Sequence, residues 1–406
     1  MVEQTLDARA PREDRRTAAA VAGYYFFSLV GLAIATPYLP LYWKSLGFGR
    51  LALGALLTAQ GLGGLLAQGP IGYLSDRGGR RKDIVFGLFI GAALLMAVYP
   101  VWQSFWALFV VTLAISAAFN SGNALVQAMV ADWAAGTRMA STYGRLRMAG
   151  SIGWVLCLLL AGRVAFMTDM RPMKALPWAA PIFLVVAAGY AAAACFALLA
   201  TPAAGVHRLR LGPFTALKTV ARAPEVGRFL VALALFWTGL QSINAFLSLF
   251  LKQMGAGRPT VSLAFVISAV AEIPFIFLAG RLADKYGERK LLMVAFGALP
   301  IRLLLYAVAP GPWLCLVAQT FHSVTYGLSM VGSVTYMSHR LPASLRASGQ
   351  GALGVVMCLS STAGPSLGAM AAYSGSYRWA FAAMAAIALA GFVVLKGLPN
   401  GIAETE

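Results

Sequence analysis

The sequence predicts an all-α membrane protein of twelve transmembrane helices arranged as two six-helix halves, and three observations carry that reading. The first is composition: 60% of the 406 residues are hydrophobic and 11% charged, with a mean hydropathy of +0.75. A soluble domain carries about 25% charged residues. The second is the length of the apolar runs. A helix needs about 20 residues to cross a hydrocarbon core roughly 30 Å thick. Twelve such runs stand at 19–42, 52–73, 84–100, 104–131, 146–168, 178–200, 228–252, 260–281, 290–308, 312–338, 345–372 and 377–396. A transmembrane β-barrel would show alternating segments of about ten residues, and these runs are too continuously apolar for that. The third is a loop that occurs twice. Gly72, Asp76, Arg77, Gly79, Arg80 and Arg81 are matched by Gly280, Asp284, Lys285, Gly287, Arg289 and Lys290 at closely matching offsets. A membrane chain that repeats a polar loop at its half-length is built from two homologous halves.

Taken in order, residues 1–17 read as a charged cytoplasmic tail and 18–200 as the first six-helix half. Residues 201–227 carry Pro202, Gly205, Pro213 and Pro224 among basic residues and read as a cytoplasmic linker. Residues 228–396 make the second half, and 397–406 a short cytoplasmic tail. Arg15 and Arg16 precede an apolar run too long for the core of an export signal, so that run is expected to stay as the first helix. Small residues let helix backbones approach closely in lipid, a role that Gly61, Gly63, Gly64 and Gly69 fit in the second span and Gly351 and Gly354 in the eleventh.

The net charge of +18 invites a nucleic-acid reading, which the positions of the charges exclude. Most Lys and Arg fall on one side of the predicted topology, in the runs 77–82, 208–228 and 285–290. Basic residues concentrate in cytoplasmic loops, which places both termini in the cytoplasm and the chain in the cytoplasmic (inner) membrane. The same residues can touch anionic lipid headgroups. Cys157, Cys195, Cys315 and Cys358 all lie in predicted spans and form no metal-like pair, so neither metal nor cofactor is expected.

Few ionisable groups stand inside the spans. Glu272 lies in the eighth span, Arg302 in the ninth and His322 in the tenth. A charged group in hydrocarbon costs several kcal/mol unless it pairs, reaches water or is neutralised, which makes it a functional candidate. A carboxyl held between desolvation and a nearby cation can bind and release a proton near neutral pH, and imidazole titrates in the same range. Glu272, His322 and Arg302 are therefore the proton-coupling candidates. Polar stripes at helical spacing accompany them: Asn120, Asn123 and Gln127; Arg147, Ser151 and Trp154; Trp237, Gln241 and Asn244; Gln319, His322 and Tyr326. Residues three, four and seven apart project together, and amides facing lipid would be expensive. These faces should line a central polar cavity or meet another helix.

The doubled loop resembles the signature of the major facilitator superfamily, and nearly the whole chain resembles that family. The stretch holding Tyr143, Arg145, Arg147, Gly150, Gly153 and Trp154 is similar to the fifth helix of its lactose permease and 3-phenylpropionate transporter branch. Arg302, the stretch from Gln319 to Tyr326, and the stretch from Ala271 to Pro274 resemble that branch as well. Gln127 and Thr325 stand where lactose permease has carboxylates. The resemblance implies a carrier working by alternating access, generally as a monomer. It implies that Gly72, Asp76, Arg77, Arg80, Arg81, Gly280, Asp284, Lys285 and Arg289 latch the halves together on the cytoplasmic side when the carrier opens outward. It also implies that Arg147 and Trp154 serve the substrate; the polar stripes add Asn120, Asn123, Gln127, Gln241, Asn244 and Tyr326 as expected contacts.

The expectation is a proton-coupled symporter of a small organic solute. An aromatic or other organic anion suits Arg147 and Trp154, because guanidinium donors match a carboxylate. A sugar or nucleoside, or a drug or metabolite exporter, is the alternative. A membrane enzyme would need a nucleophile with its base, or a metal set, and the spans show neither. A sensor built on a transporter fold is compatible with the same sequence.

Overall fold

The computed structural model describes the backbone of residues 11–78, 80–133, 139–171, 173, 180–200, 213–222, 224–341, 346–373 and 375–398. Its helices are α1 (Pro11–Ser45), α2 (Arg50–Gly78), α3 (Arg81–Ala97), α4 (Phe105–Trp133), α5 (Met139–Arg163), α6 (Pro181–Leu199), α7 (Pro213–Ala221) and α8 (Pro224–Gln253). They continue with α9 (Arg258–Tyr286), α10 (Glu288–Val308), α11 (Pro312–Thr320), α12 (Leu328–Arg340), α13 (Arg346–Ala371) and α14 (Tyr377–Lys396). A π-helical turn, Ser323–Gly327, joins α11 to α12 into one span. No strand occurs among the described residues. A lipid core offers no partner for backbone polar groups, so the chain satisfies them within helices.

Among the described residues, ten spans are long and apolar enough to cross a membrane. The 17-residue α3 and α9, which carries Glu272 and Pro274, complete the twelve. The helix bounds differ from the apolar runs mainly between α5 and α6. There α5 stops at Arg163, a 3-10 turn covers Ala165–Thr168, and α6 starts at Pro181. The short α7 falls within the basic stretch between the halves and packs on α13.

The packing repeats between the halves. In the first, α1 packs on α5 and α6, α3 on α4 and α6, and α2 on α4. In the second, α8 packs on α13 and α14, α10 on α12 and α14, and α9 on the π turn and α12. Each pair is the counterpart of one six spans earlier. The contacts between halves, α2 with α13 and α5 with α9, also exchange under that correspondence.

The two ends of the bundle differ. The terminal end is where α1 begins and α14 finishes; the far end holds the turns after α1, α5, α8 and α13. At the far end the halves are bonded together. Tyr38 and Ser262 share a hydrogen bond of 2.7 Å. Thr58 and Ser366 share one of 2.6 Å. Arg258 donates to the Thr168 hydroxyl at 3.3 Å, and Arg50 donates to the Gly375 carbonyl. Two glycines make this seam possible. A Cβ on Gly54 would run into that of Ala369, and one on Gly61 would lie 2.6 Å from the Ser361 carbonyl carbon.

At the terminal end, bonds among the described residues stay within one half. Arg340 pairs with Glu225, His339 lies 3.3 Å from Glu288, and Arg289 donates to the Lys396 carbonyl at 3.2 Å. The halves are thus joined at the far end, between the turns that follow α1 and α13.

Candidate functional site

Two polar constructions occupy the middle of the bundle. One is an ionic array confined to the second half. Glu272 lies at the midpoint of α9, two residues before Pro274, which frees a backbone carbonyl one turn earlier. Its Oε2 is 3.5 Å from Nε2 of His322. The other imidazole nitrogen, Nδ1, is 3.3 Å from Nη1 of Arg302. Arg302 is 1% exposed and spends its remaining donors on neutral groups: Thr325 Oγ1 at 2.9 Å, Tyr306 Oη at 3.3 Å and the Gln319 amide oxygen. Tyr306 also donates to Gln319 at 3.0 Å.

Local structure sets this up. His322 immediately precedes the π turn, a feature concentrated at functional sites. The turn's Thr325 reaches Arg302 while its hydroxyl donates to the Phe321 carbonyl at 3.0 Å. The His322 ring stacks on Tyr326, with centroids 5.0 Å apart and planes at 17°. Tyr326 in turn meets Trp237 edge-on at 5.5 Å.

The chemistry of the array follows from donor counting. A guanidinium only donates, so Nδ1 of His322 must accept from Arg302. The neutral ring then carries its proton on Nε2, aimed at Glu272. A second proton on Nδ1 would face an arginine N–H.

The other construction is a cavity of about 260 Å³ between the halves. Helix α1 contributes Thr36, α2 Gln60 and α4 Thr112, Ser116, Phe119 and Asn120. From the second half come Gln241 and Asn244 on α8 and Cys358 and Ser361 on α13. Among the described residues, no Asp, Glu, Lys, Arg or His lines it. Glycines let the amides sit where they do. A Cβ on Gly64 would come within 3.0 Å of the Asn120 side chain, and one on Gly364 within 3.2 Å of Gln241 Cβ.

The sequence-predicted residues divide accordingly. Glu272, His322 and Arg302 are brought together, with Tyr326 beside them. Asn120, Gln241 and Asn244 line the cavity. Asn123 instead donates to the Phe119 carbonyl at 2.9 Å, and Gln127 is exposed outside the lining. Arg147 and Trp154 are half-buried and do not line the cavity; the Arg147 guanidinium lies 5.8 Å from the centre of the Tyr25 ring.

Of the repeated loops, Gly72 and Gly280 lie within α2 and α9. Arg80 pairs with Asp83 at 3.0 Å in its own half, and Lys285 sits 5.2 Å from the Tyr286 ring centre. The side chains of Asp76, Arg77 and Asp284 lie outside the described residues. The four cysteines are free, and the described residues hold no metal-binding cluster.

Several members of both constructions escaped sequence reading. Tyr306 stands four residues after Arg302, and Ser116 four before Asn120, so helical spacing could have found them. Ser361, in a Ser-Ser-Thr run of α13, had no such signal.

The fold and site can now be set beside known proteins. The model of the MFS_1 like family matches residues 19–383. The chain belongs to the MFS_1 like family. Among relatives of this MFS protein is the uncharacterized transporter YwbF of Bacillus subtilis, 25% identical over 82% of this chain and 81% of that protein. Another is the probable 3-phenylpropionic acid transporter of Escherichia coli, 24% identical over 78% and 80%. The crystal structure of the nucleoside transporter NupG superposes with a TM-score of 0.78 at 15% identity. The match covers 94% of this chain and 98% of the other. That likeness shows the fold. The chain is a multi-pass MFS transporter of small molecules, and its relatives are transporters rather than enzymes.

Proposed function

We propose that this transporter couples uptake of a small organic solute to protons across the cytoplasmic membrane, as a monomer with both termini in the cytoplasm. The observation that carries the reading is the contact of Glu272 with His322, 3.5 Å, with Arg302 behind the ring at 3.3 Å. With Glu272 ionised, the carboxylate and the buried guanidinium balance across a neutral imidazole. With Glu272 protonated, it becomes a donor and the array is left with the charge of Arg302. One proton thus changes the charge of a site deep in the bundle, where charge is expensive. That supplies the differential energy a coupled conformational change needs.

Alternating access supplies the rest. The far-end seam closes the path on the side expected to be external, and the cavity lies just inside it. Rocking the halves would open the seam and bring the repeated loops at the terminal end together. Gly72, Asp76, Arg77, Arg80, Arg81, Gly280, Asp284, Lys285 and Arg289 would then act across the halves as a latch. The relatives leave the solute open, since one is named for phenylpropionate and a fold neighbour for nucleosides.

The test is solute accumulation in proteoliposomes under an imposed pH gradient, with Glu272→Gln beside the native chain. Accumulation that follows the gradient and is lost in Glu272→Gln supports symport. Flux that ignores the gradient in the native chain refutes it.

A further inference from the structure

We infer that the central cavity recognises an uncharged solute rich in hydroxyl or N–H donors, and that Ser116 and Ser361 set this preference by locking the cavity amides in one orientation. The inference names the substrate class of the site proposed above and rests on that site being the transport site.

The argument is a chain of hydrogen-bond bookkeeping in each half. In the first half, the Ser116 hydroxyl donates to the Gln60 backbone carbonyl. Its single proton is then spent. Asn120 approaches both Ser116 Oγ and the Ser116 carbonyl at 2.9 Å. Both of those atoms can only accept, so the Asn120 atom facing them must be Nδ2, with both protons used. Asn120 Oδ1 is left without a partner among the described residues.

The second half repeats the logic with one more link. The Ser361 hydroxyl donates to the Met357 carbonyl at 2.8 Å, so it can only accept from Gln241. Gln241 must turn its Nε2 toward Ser361 and its Oε1 toward α8. Asn244 lies 3.2 Å from that Oε1 and must meet it with Nδ2. Asn244 Oδ1 is again left over.

Each half therefore offers the cavity an amide oxygen whose orientation is fixed by a serine two links or fewer away. Asn244 is exposed and Asn120 half-buried, so both oxygens are open to the cavity, and a ligand that donates to both gains a hydrogen bond in each half that an acceptor-only ligand cannot make. A carboxylate brings only acceptors, and among the described residues no Lys, Arg or His lines the cavity to receive it. Phe119, Tyr99 and Tyr190 add faces for a small ring. A polyol, sugar or nucleoside fits this chemistry, and an aromatic acid does not. Because one oxygen belongs to each half, such a ligand also bridges the two bodies that must move.

The experiment measures binding to the purified full chain by isothermal titration with two sets of probes: maltose, inositol and uridine as neutral donors, and benzoate and 3-phenylpropionate as anions. A neutral probe should bind, and the anions should bind at least tenfold more weakly. Asn244→Leu and Asn120→Leu should each weaken the neutral ligand about tenfold, the loss of one good hydrogen bond. Ser361→Ala should leave the fold intact and release Gln241, and with it Asn244, to turn an N–H outward, whereas Ser116→Ala keeps the backbone carbonyl that also holds Asn120. The ratio of neutral to anionic affinity should then fall severalfold in Ser361→Ala, a change that a packing role would not produce.

An anion that outcompetes every neutral probe in the native chain overturns the inference. So does binding of none of the neutral probes, or an unchanged ratio in Ser361→Ala. A neutral probe that binds as expected but does not accumulate under a pH gradient sinks the symport reading and leaves the substrate class standing.

Discussion

The ionic array and the cavity rim are both polar constructions inside an apolar bundle, yet they are built on opposite plans. The array holds Glu272, His322 and Arg302 on three spans of one half, so its distances need not change when the halves rock. The rim carries no formal charge and is divided: Asn120 and Ser116 on one body, Gln241, Asn244 and Ser361 on the other. A group that must gain and lose a proton is best kept in a rigid frame, where its energy depends on charge alone. A group that must sense closure is best split across the moving interface. The comparison teaches that, on the proposed reading, coupling and recognition fall in different parts of the fold.

The strongest way to break that comparison is to remove the carboxyl proposed to carry the proton. Glu272→Gln should reduce gradient-driven accumulation to background while solute exchange between equal concentrations persists, because exchange requires no net proton movement. Radiolabelled uptake and exchange in one batch of proteoliposomes check this. If exchange is lost along with accumulation, Glu272 serves binding too, and the separation fails.

The next effect is on the split between halves. Gly54→Leu forces a side chain into Ala369 and should hold the far end apart. In a background freed of native cysteines, Ser262→Cys should react with a membrane-impermeant maleimide many times faster when Gly54→Leu is present. Equal rates would show that the seam is not what closes that end.

Stability separates the two constructions further. Arg302→Met strands Gln319 and His322 acceptors in the interior, and breaking such a buried charged network costs about 3–5 kcal/mol. Thermal unfolding in detergent should fall by several degrees, whereas Asn244→Leu should leave it nearly unchanged while weakening solute binding about tenfold.

The smallest effect marks the contrast with an exposed pair. Arg171 donates to Asp169 at 3.2 and 3.3 Å, and its hydrogen bonds hold the Asp169 carboxyl below the usual carboxylate range. A lowered folded-state pKa stabilises above the unfolded value, and that contribution is lost as pH falls through the lowered one. The pair is solvent-screened, so Asp169→Asn should not shift unfolding measurably at neutral pH.

Sequence made the array legible and the rim only half so, for physical reasons. Glu272, Arg302 and His322 stand out because charge is rare and costly in an apolar run. The twelve spans and the two-half repeat were legible for the same reason. Ser116 and Ser361 are unremarkable in a helix, and only their hydroxyl directions reveal their part. The π turn at Ser323–Gly327 breaks the 3.6-residue period on which the stripe of Gln319, His322 and Tyr326 was read. Arg147 and Trp154 drew attention as a stripe and by family resemblance, but neither lines the cavity. The far-end seam depends on which way the halves have rocked, which no helical period records.

The division of labour is tested most directly by solute affinity as a function of pH in three chains, native, Glu272→Gln and Asn244→Leu. The account predicts that Glu272→Gln removes the pH dependence and leaves affinity near its low-pH native value. It predicts that Asn244→Leu lowers affinity at every pH and keeps the native profile. Parallel changes in both affinity and pH profile for either variant would contradict it.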